Sequence, residues 1–193
     1  TMERYFVLED TMEITDKIAQ DVMKNVMKYA KILKKDPENY EARAEIMWCG
    51  SLSHNGLTGC GTCGGDWATH LIEHELGGMF DVAHGAGLAA VWGSWARYVM
   101  DEKPERFAQF AVDVMGVEES DDVKSTALKG IEAVEEFYRM IEMPTNMKEL
   151  GIDPTDEQIK DMAMKATNHD TQQLGAFKKL SAKDLVEIYK TAK

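Results

Sequence analysis

The chain has 193 residues, of which 44% are hydrophobic, and its 34 acidic and 22 basic side chains give a net charge of −12. This length is sufficient to bury one core, so we expect a single domain spanning residues 1–193. The negative charge repels phosphate backbones and anionic lipid surfaces, which excludes nucleic acid and membranes as expected partners.

The same sequence lacks the usual marks of export. Its most apolar run, residues 85–99, is interrupted by Arg97 and falls short of the roughly 20 residues that span a bilayer. The first residues have neither the basic start nor the apolar segment of a signal peptide. Three cysteines are too few for a disulfide framework. We therefore expect a cytoplasmic protein.

The first predicted helix runs from Thr11 to residue 33, where apolar side chains recur at helical spacing. Pro37 follows soon after its end, and Asn39 is placed to cap a second helix over residues 40–54. We expect these two helices to pack antiparallel to each other.

Five glycines between residues 56 and 65 predict a loop, and Asp66 is a candidate N-cap for the helix that follows it. Start signals predict later helices at 84–100, 104–115, 121–141, 155–167 and 181–192. No segment alternates with period two for long enough to predict a strand. The sequence therefore predicts an all-α fold, a multi-helix bundle-like domain.

Three of the five histidines, His70, His74 and His84, fall within fifteen residues beside the glycine-rich loop. His70 and His74 are four residues apart, so they share one face of a predicted helix, and His84 at the start of the next helix can converge on the same point. Neutral imidazoles suit iron, zinc, nickel or copper. We interpret the cluster as part of one divalent-metal catalytic site, although such spacing also occurs in surface or core histidines.

Two cysteines offer an alternative, a small structural zinc site formed by Cys60 and Cys63 with His70 and His74. Only six residues separate Cys63 from His70, whereas zinc fingers leave about a dozen between their cysteine and histidine pairs. We therefore expect these cysteines to occupy the glycine loop without binding metal.

Other conspicuous side chains have structural explanations. Glu73 and Glu75 flank the histidines but point around the helix from them, so we expect both on a solvated face. Helical spacing among apolar residues predicts that the four tryptophans anchor the core: Trp48, Trp67, Trp92 and Trp95.

The histidine cluster reads DWATHLIEHEL at 66–76 and DVAHG at 81–85. It closely resembles the metal-site region of the iron-containing (group III) alcohol dehydrogenases, of the NAD(P)H-dependent butanol dehydrogenase type. The resemblance covers nearly the whole chain, since it extends to residues 37–43, 46–48, 55–57, 143–145 and 168–170. It implies the C-terminal helical domain of such an enzyme, a dehydroquinate synthase-like fold, without the N-terminal nucleotide-binding α/β domain.

The resemblance also implies roles for the histidines. In that family an aspartate and three histidines hold the metal, and two of those histidines match His70 and His84. The histidine that matches His74 lies near the substrate and the nicotinamide, which implies a catalytic and cofactor-binding role. The missing aspartate and histidine are expected just before Thr1.

The implied activity is metal-dependent and NAD(P)H-dependent interconversion of a primary alcohol such as butanol and its aldehyde. Fe²⁺ is the expected metal and Zn²⁺ the alternative; either would act as a Lewis acid on the substrate oxygen during hydride transfer. We expect the isolated chain to be inactive and to form a homo-oligomer through apolar surface around the histidines. The alternatives are a stand-alone helical interaction module and the small structural zinc-binding domain.

Overall fold

Nine α-helices and two short 3-10 helices, Leu57–Gly59 and Met100–Glu102, form the regular structure of the described residues. The structure is a computed structural model and describes residues 1–8 and 12–193. The helices are α1 (Met2–Tyr5), α2 (Glu13–Lys35), α3 (Tyr40–His54), α4 (Ala68–Phe80), α5 (His84–Val99), α6 (Pro104–Asp113), α7 (Val123–Met140), α8 (Asp156–Ala166) and α9 (Ala182–Ala192). Within those ranges no strand is present, and one isolated antiparallel bridge joins Leu174 to Leu180. The prediction of an all-α fold is confirmed.

Local capping explains where several helices begin. The side chain of Asn39 accepts a hydrogen bond from the backbone N–H of Ala42 at 3.0 Å, as an N-cap does. Capping boxes begin α8, with Thr155, and α9, with Ser181. The predicted helices after residue 80 match the observed bounds to within two residues at each end. Thr11, the predicted start of α2, lies outside the described residues.

The chain forms two compact units. The first unit comprises Thr1–Gly65 and Lys103–Ala133, and the second comprises Asp66–Glu102 and Val134–Lys193. All three clustered histidines belong to the second unit. No helix within residues 1–8 and 12–193 has the length and apolarity needed to cross a membrane.

Aromatic side chains of α1, of Phe6 directly after it and of α6 form the core of the first unit. Phe6 stacks on Phe107 with ring centroids 4.4 Å apart, and its ring centroid lies 5.1 Å from that of Phe110. Tyr5 contacts Phe6 edge to face. In the same unit α2 packs against α3, as the sequence predicted for neighbouring helices.

The second unit packs α4 and α9 against both α5 and α8. Ile72 and Leu76 of α4 and Trp95 of α5 are fully buried in its core. The hydroxyl group of Tyr189 in α9 donates a hydrogen bond to the backbone oxygen of Ile72 at 2.7 Å. One face of α4 is thus held in the core, and this fixes the direction of the opposite face, which carries the histidines.

Only two of the four tryptophans anchor a core. Trp92 and Trp95 are buried as predicted, but Trp48 is 62% exposed and Trp67 is 36% exposed, so the prediction is wrong for both. Trp48 lines a shallow surface groove between α2 and α3, and Trp67 precedes the first residue of α4. Helical spacing does not determine which face of a helix a partner covers.

Candidate metal centre

The start of α4 is fixed by the carboxylate of Asp66. One oxygen accepts from the backbone N–H of Ala68 at 3.0 Å, and the other accepts from the N–H groups of Ala176 and Phe177, each at 2.7 Å. The structure gives the N-cap position to Trp67, in the left-handed conformation at φ 62°, so the predicted cap lies one residue too early. Asp66 nevertheless satisfies a first-turn N–H and ties α4 to the segment at 175–177.

The three clustered histidines meet between α4 and the first residue of α5. The ring centroid of His84 lies 5.3 Å from that of His70 and 5.6 Å from that of His74. The centroids of His70 and His74 are 6.3 Å apart. His74 and His84 are exposed and His70 is half-buried. The convergence that the spacing predicted is therefore present.

Glu73 does not lie on a solvated face, so that prediction is wrong. Glu73 is only 1% exposed, and its carboxylate oxygen Oε2 accepts a hydrogen bond from Nδ1 of His84. Two glycines leave room for this side chain: a Cβ at Gly87 would lie 2.6 Å from Glu73 Oε1, and one at Gly77 would lie 3.3 Å from it. Gly77 in α4 and Gly87 in α5 are the features of the sequence that could have indicated a buried side chain at position 73.

Glu75, the second acidic residue expected in solvent, is half-buried. Burial raises the pKa of its carboxyl group, and the nearby Lys165 opposes that rise while Asp161 adds to it. His74 also lies close enough to lower the pKa of Glu75. The two acidic residues beside the histidines in α4 therefore have different surroundings, since Glu73 is fully buried and Glu75 lies near Lys165 and Asp161 of α8.

The residues present fit a divalent cation. In the described part of the chain, potential ligand atoms of Glu73, His74 and His84 all lie within 4.8 Å of one another. Two imidazoles that bind one tetrahedral metal at about 2.0–2.1 Å place their ring centroids roughly 5 Å apart. The separations between His84 and its two neighbouring histidines are close to that value. Imidazole and carboxylate are ordinary ligands of both iron and zinc.

The two cysteines considered for a zinc site lie outside this group. Cys60 and Cys63 are both exposed in the glycine-rich loop, where Gly56, Gly61 and Gly64 adopt positive φ angles. The ligand group found in the described ranges contains neither cysteine.

Known proteins resemble this chain along its whole length. Residues 1–193 match the family model for the C-terminal part of the Fe-containing alcohol dehydrogenase family. The chain is 31% identical over 191 residues to the NADH-dependent butanol dehydrogenase A of Clostridium acetobutylicum, covering 98% of this chain and 48% of that protein. It is 30% identical to an NADPH-dependent aldehyde reductase of Escherichia coli, covering 100% of this chain and 49% of the reductase.

A solved structure supports the same relationship. The crystal structure of NADH-dependent butanol dehydrogenase A from Thermotoga maritima superposes with a TM-score of 0.90 at 34% identity, covering 99% of this chain and 48% of that one. The chain thus spans about half the length of the relatives it matches. It belongs to the Fe-containing alcohol dehydrogenase family and corresponds to the C-terminal helical part of that family.

Proposed function

We propose that this chain is the metal-binding helical part of an NAD(P)H-dependent alcohol dehydrogenase that interconverts a primary alcohol, such as butanol, and its aldehyde. The convergence of the three imidazoles of His70, His74 and His84 carries the proposal. The names of the relatives support the substrate class, since one is an NADH-dependent butanol dehydrogenase and another an NADPH-dependent aldehyde reductase.

In this proposal His70 and His84 hold the metal, Fe²⁺ or alternatively Zn²⁺. The metal supplies a Lewis acid that polarises the substrate oxygen. His84 is held in place through its Nδ1 by the buried carboxylate of Glu73. His74 is exposed beside His84, where its imidazole can hydrogen-bond the substrate and position the nicotinamide.

Zinc titration of single variants tests the ligand assignment. We expect His70→Ala and His84→Ala each to weaken Zn²⁺ binding by at least the roughly 10–100-fold that loss of an outer-shell partner costs. His74→Ala should weaken binding far less. His54→Ala is the matched control, because His54 is exposed and its Nδ1 contacts the backbone oxygen of Gly50 in its own helix.

The variants also distinguish a competing set of ligands. If His74→Ala abolishes Zn²⁺ binding while His70→Ala leaves it intact, then Glu73, His74 and His84 hold the metal instead. A wild-type chain that binds Zn²⁺ no better than the triple variant of His70, His74 and His84 contradicts the metal site altogether.

We further propose that the 193-residue chain is inactive on its own. Two histidines bind a metal less tightly than the family's four-ligand site, and the nucleotide-binding domain implied by the resemblance is needed to present the nicotinamide. Assays of butyraldehyde reduction with NADH and with NADPH should show no turnover above that of buffer. Measurable turnover by the purified chain would disprove this part of the proposal.

We also propose that the chain self-associates, and exposed apolar side chains beside the histidines support this part of the proposal. Trp67 and Leu71 are both more than one third exposed on the first turn of α4 and just before it. Such a face favours burial against another surface. We expect sedimentation to show a homo-oligomer whose proportion falls in a Trp67→Ser, Leu71→Ser double variant. A concentration-independent monomer of the unmodified chain would contradict this expectation.

A further inference from the structure

Glu73 is a buried acid outside the proposed ligand pair of His70 and His84. Its side chain is 2% exposed, whereas that of His84 is 53% exposed. An unpaired carboxylate is costly to bury, and a hydrogen bond to an imidazole offsets that cost. The contact to His84 therefore explains how the chain tolerates Glu73, but it also constrains His84.

We infer that Glu73 is a positioning residue that fixes the orientation and tautomer of His84, so that Nε2 of His84 faces the metal. This inference rests on the proposed metal site. An ionised carboxylate can only accept hydrogen bonds, so its contact with Nδ1 keeps the proton on Nδ1. The lone pair of the neutral ring is then on Nε2. Metal-binding histidines commonly donate their other N–H to a carboxylate in this way, which orients the ring and makes it a better ligand.

Two observations favour this role over direct ligation by Glu73. Nδ1 of His84 and Oε2 of Glu73 are in direct hydrogen-bond contact, which leaves no space for a cation between those two atoms. The carboxylate is also buried, whereas His74 and His84 are exposed. The acid thus lies behind the His84 ring, and the open side of the ring remains for a ligand.

The neighbouring helix is shaped to accept this acid. A Cβ at position 87 would lie 2.6 Å from Oε1 and 2.7 Å from Cγ of Glu73, closer than real side-chain atoms approach. Gly87 lies on α5, whose first residue is His84. The carboxylate and the ring that it orients are therefore seated against the same turn of α5. Gly87→Ala should displace the carboxylate without removing it.

Nitrogen NMR of the histidine rings tests the tautomer directly. In the ¹⁵N-labelled chain at alkaline pH, we expect His84 to show the Nδ1–H pattern, and we expect Glu73→Ala to shift it toward Nε2–H. Addition of Zn²⁺ to the unmodified chain should move the Nε2 signal and leave the Nδ1 proton in place. A purely structural role for Glu73 would not change these signals.

Zinc affinity gives the second readout. We expect Glu73→Ala to weaken Zn²⁺ binding about 10–100-fold. Glu73→Gln should lose less, because its amide oxygen can still accept from Nδ1, and Gly87→Ala should resemble Glu73→Ala. Glu75→Ala is the matched control, since it removes the same charge from the same helix two residues away. We expect it to bind Zn²⁺ as the unmodified chain does.

Thermal unfolding shows which variants remain folded. If Glu73→Ala does not fold, Gly87→Ala and Glu73→Gln decide the question. The inference is overturned if a folded Glu73→Ala or Gly87→Ala variant keeps full Zn²⁺ affinity, if His84 is Nε2–H in the unmodified chain, or if Zn²⁺ removes the Nδ1 proton. A chain that binds no Zn²⁺ but shows His84 as Nδ1–H refutes the proposed metal site and upholds the role of Glu73 in setting the tautomer.

Discussion

Asp16 of α2 and Arg106 of α6 form a buried two-point ion pair in the first unit. Nη1 of Arg106 donates to Oδ2 of Asp16 at 2.6 Å, and Nη2 donates to Oδ1 at 2.7 Å. The guanidinium group also donates to the backbone oxygen of Tyr5, from Nε at 2.9 Å and from Nη2 at 2.7 Å. The side chains of Arg106 and Asp16 are only 5% and 9% exposed, so each charge depends on the other.

Removing one side chain of this ion pair should therefore strongly destabilise the folded chain. We expect Asp16→Ala to lower the free energy of unfolding by about 3–5 kcal/mol, because it leaves the Arg106 charge buried without its counterion. Urea denaturation followed by circular dichroism measures the change. Lys17→Ala is the control, since its side chain is 55% exposed and its pair with Asp113 is long at 3.7 Å. The control should change stability by less than about 0.5 kcal/mol.

Replacing each of two helix glycines by alanine should change the stability of the chain in opposite directions. A Cβ at Gly130 would lie 2.4 Å from Cβ and 3.0 Å from the backbone Cα of Ala111, so Gly130→Ala must push α7 away from that backbone. We expect it to destabilise the chain by about 1–3 kcal/mol. Gly50 in α3 has nothing within 4 Å, so Gly50→Ala should stabilise the chain by about 0.5–1 kcal/mol through helix propensity. Urea denaturation of both variants measures the two signs, and a stabilising Gly130→Ala would contradict the close helix contact.

Asp66 should control the order of a distant segment in its own unit. Asp66→Ala leaves the N–H groups of Ala68, Ala176 and Phe177 without their observed acceptor. Each buried unsatisfied donor costs about 1–3 kcal/mol. We therefore expect lower stability and faster amide hydrogen exchange at Ala176 and Phe177 than in the unmodified chain. Unchanged exchange at these two amides would show that other contacts hold the segment.

Acid should weaken the contacts of Asp184 at the start of α9. Burial raises the pKa of this carboxyl group, but hydrogen bonds from Ser181 and Tyr98 outweigh burial and lower its pKa below the ordinary value of 3.8. The hydroxyl of Tyr98 donates to Oδ1 at 2.5 Å, and Ser181 donates to Oδ2 from its N–H at 2.7 Å. A lowered folded-state pKa contributes stability above the ordinary value, and that contribution is lost as the pH falls through the lowered value.

The corresponding experiment compares urea stability at pH 5 and below pH 3. The unmodified chain should lose more stability over this interval than Asp184→Asn, which has no carboxyl group to protonate at this site. Glu157→Gln, which removes an exposed acid from α8, should respond to pH as the unmodified chain does. An equal loss in Asp184→Asn and the unmodified chain would contradict the assigned pKa direction.

The same contact affects the partner of Asp184 in the opposite pH range. Hydrogen bonding to the Asp184 carboxylate raises the pKa of Tyr98 to about 12. Ultraviolet titration of the tyrosines should therefore show one fewer late-titrating group in Asp184→Asn than in the unmodified chain. An unchanged tyrosine titration curve would contradict this assignment.

The sequence by itself determined the longer helices and the histidine cluster, but not the short helix α1. Helix bounds follow from neighbours along the chain, such as Asn39 before α3 and the pair Thr155 and Gln158 at the start of α8, so local rules suffice. The spacing of His70 and His74 is likewise a property of one helix. The resemblance to the family rests on the short segment HLIEH, which contains both of these histidines, and on the segment around His84.

Only the tertiary structure decided which faces of those helices are buried. Glu73 precedes His74 directly, and its burial depends on Gly87 in the next helix, which receives its carboxylate. Trp48 is apolar, yet it remains exposed because the residues beside it in α2 leave a shallow groove rather than a covered core. Helical periodicity describes the direction of a side chain relative to its own axis. Burial and hydrogen bonding depend on side chains brought there from elsewhere in the chain, and this is why the partner of His84 was identified only from the structure.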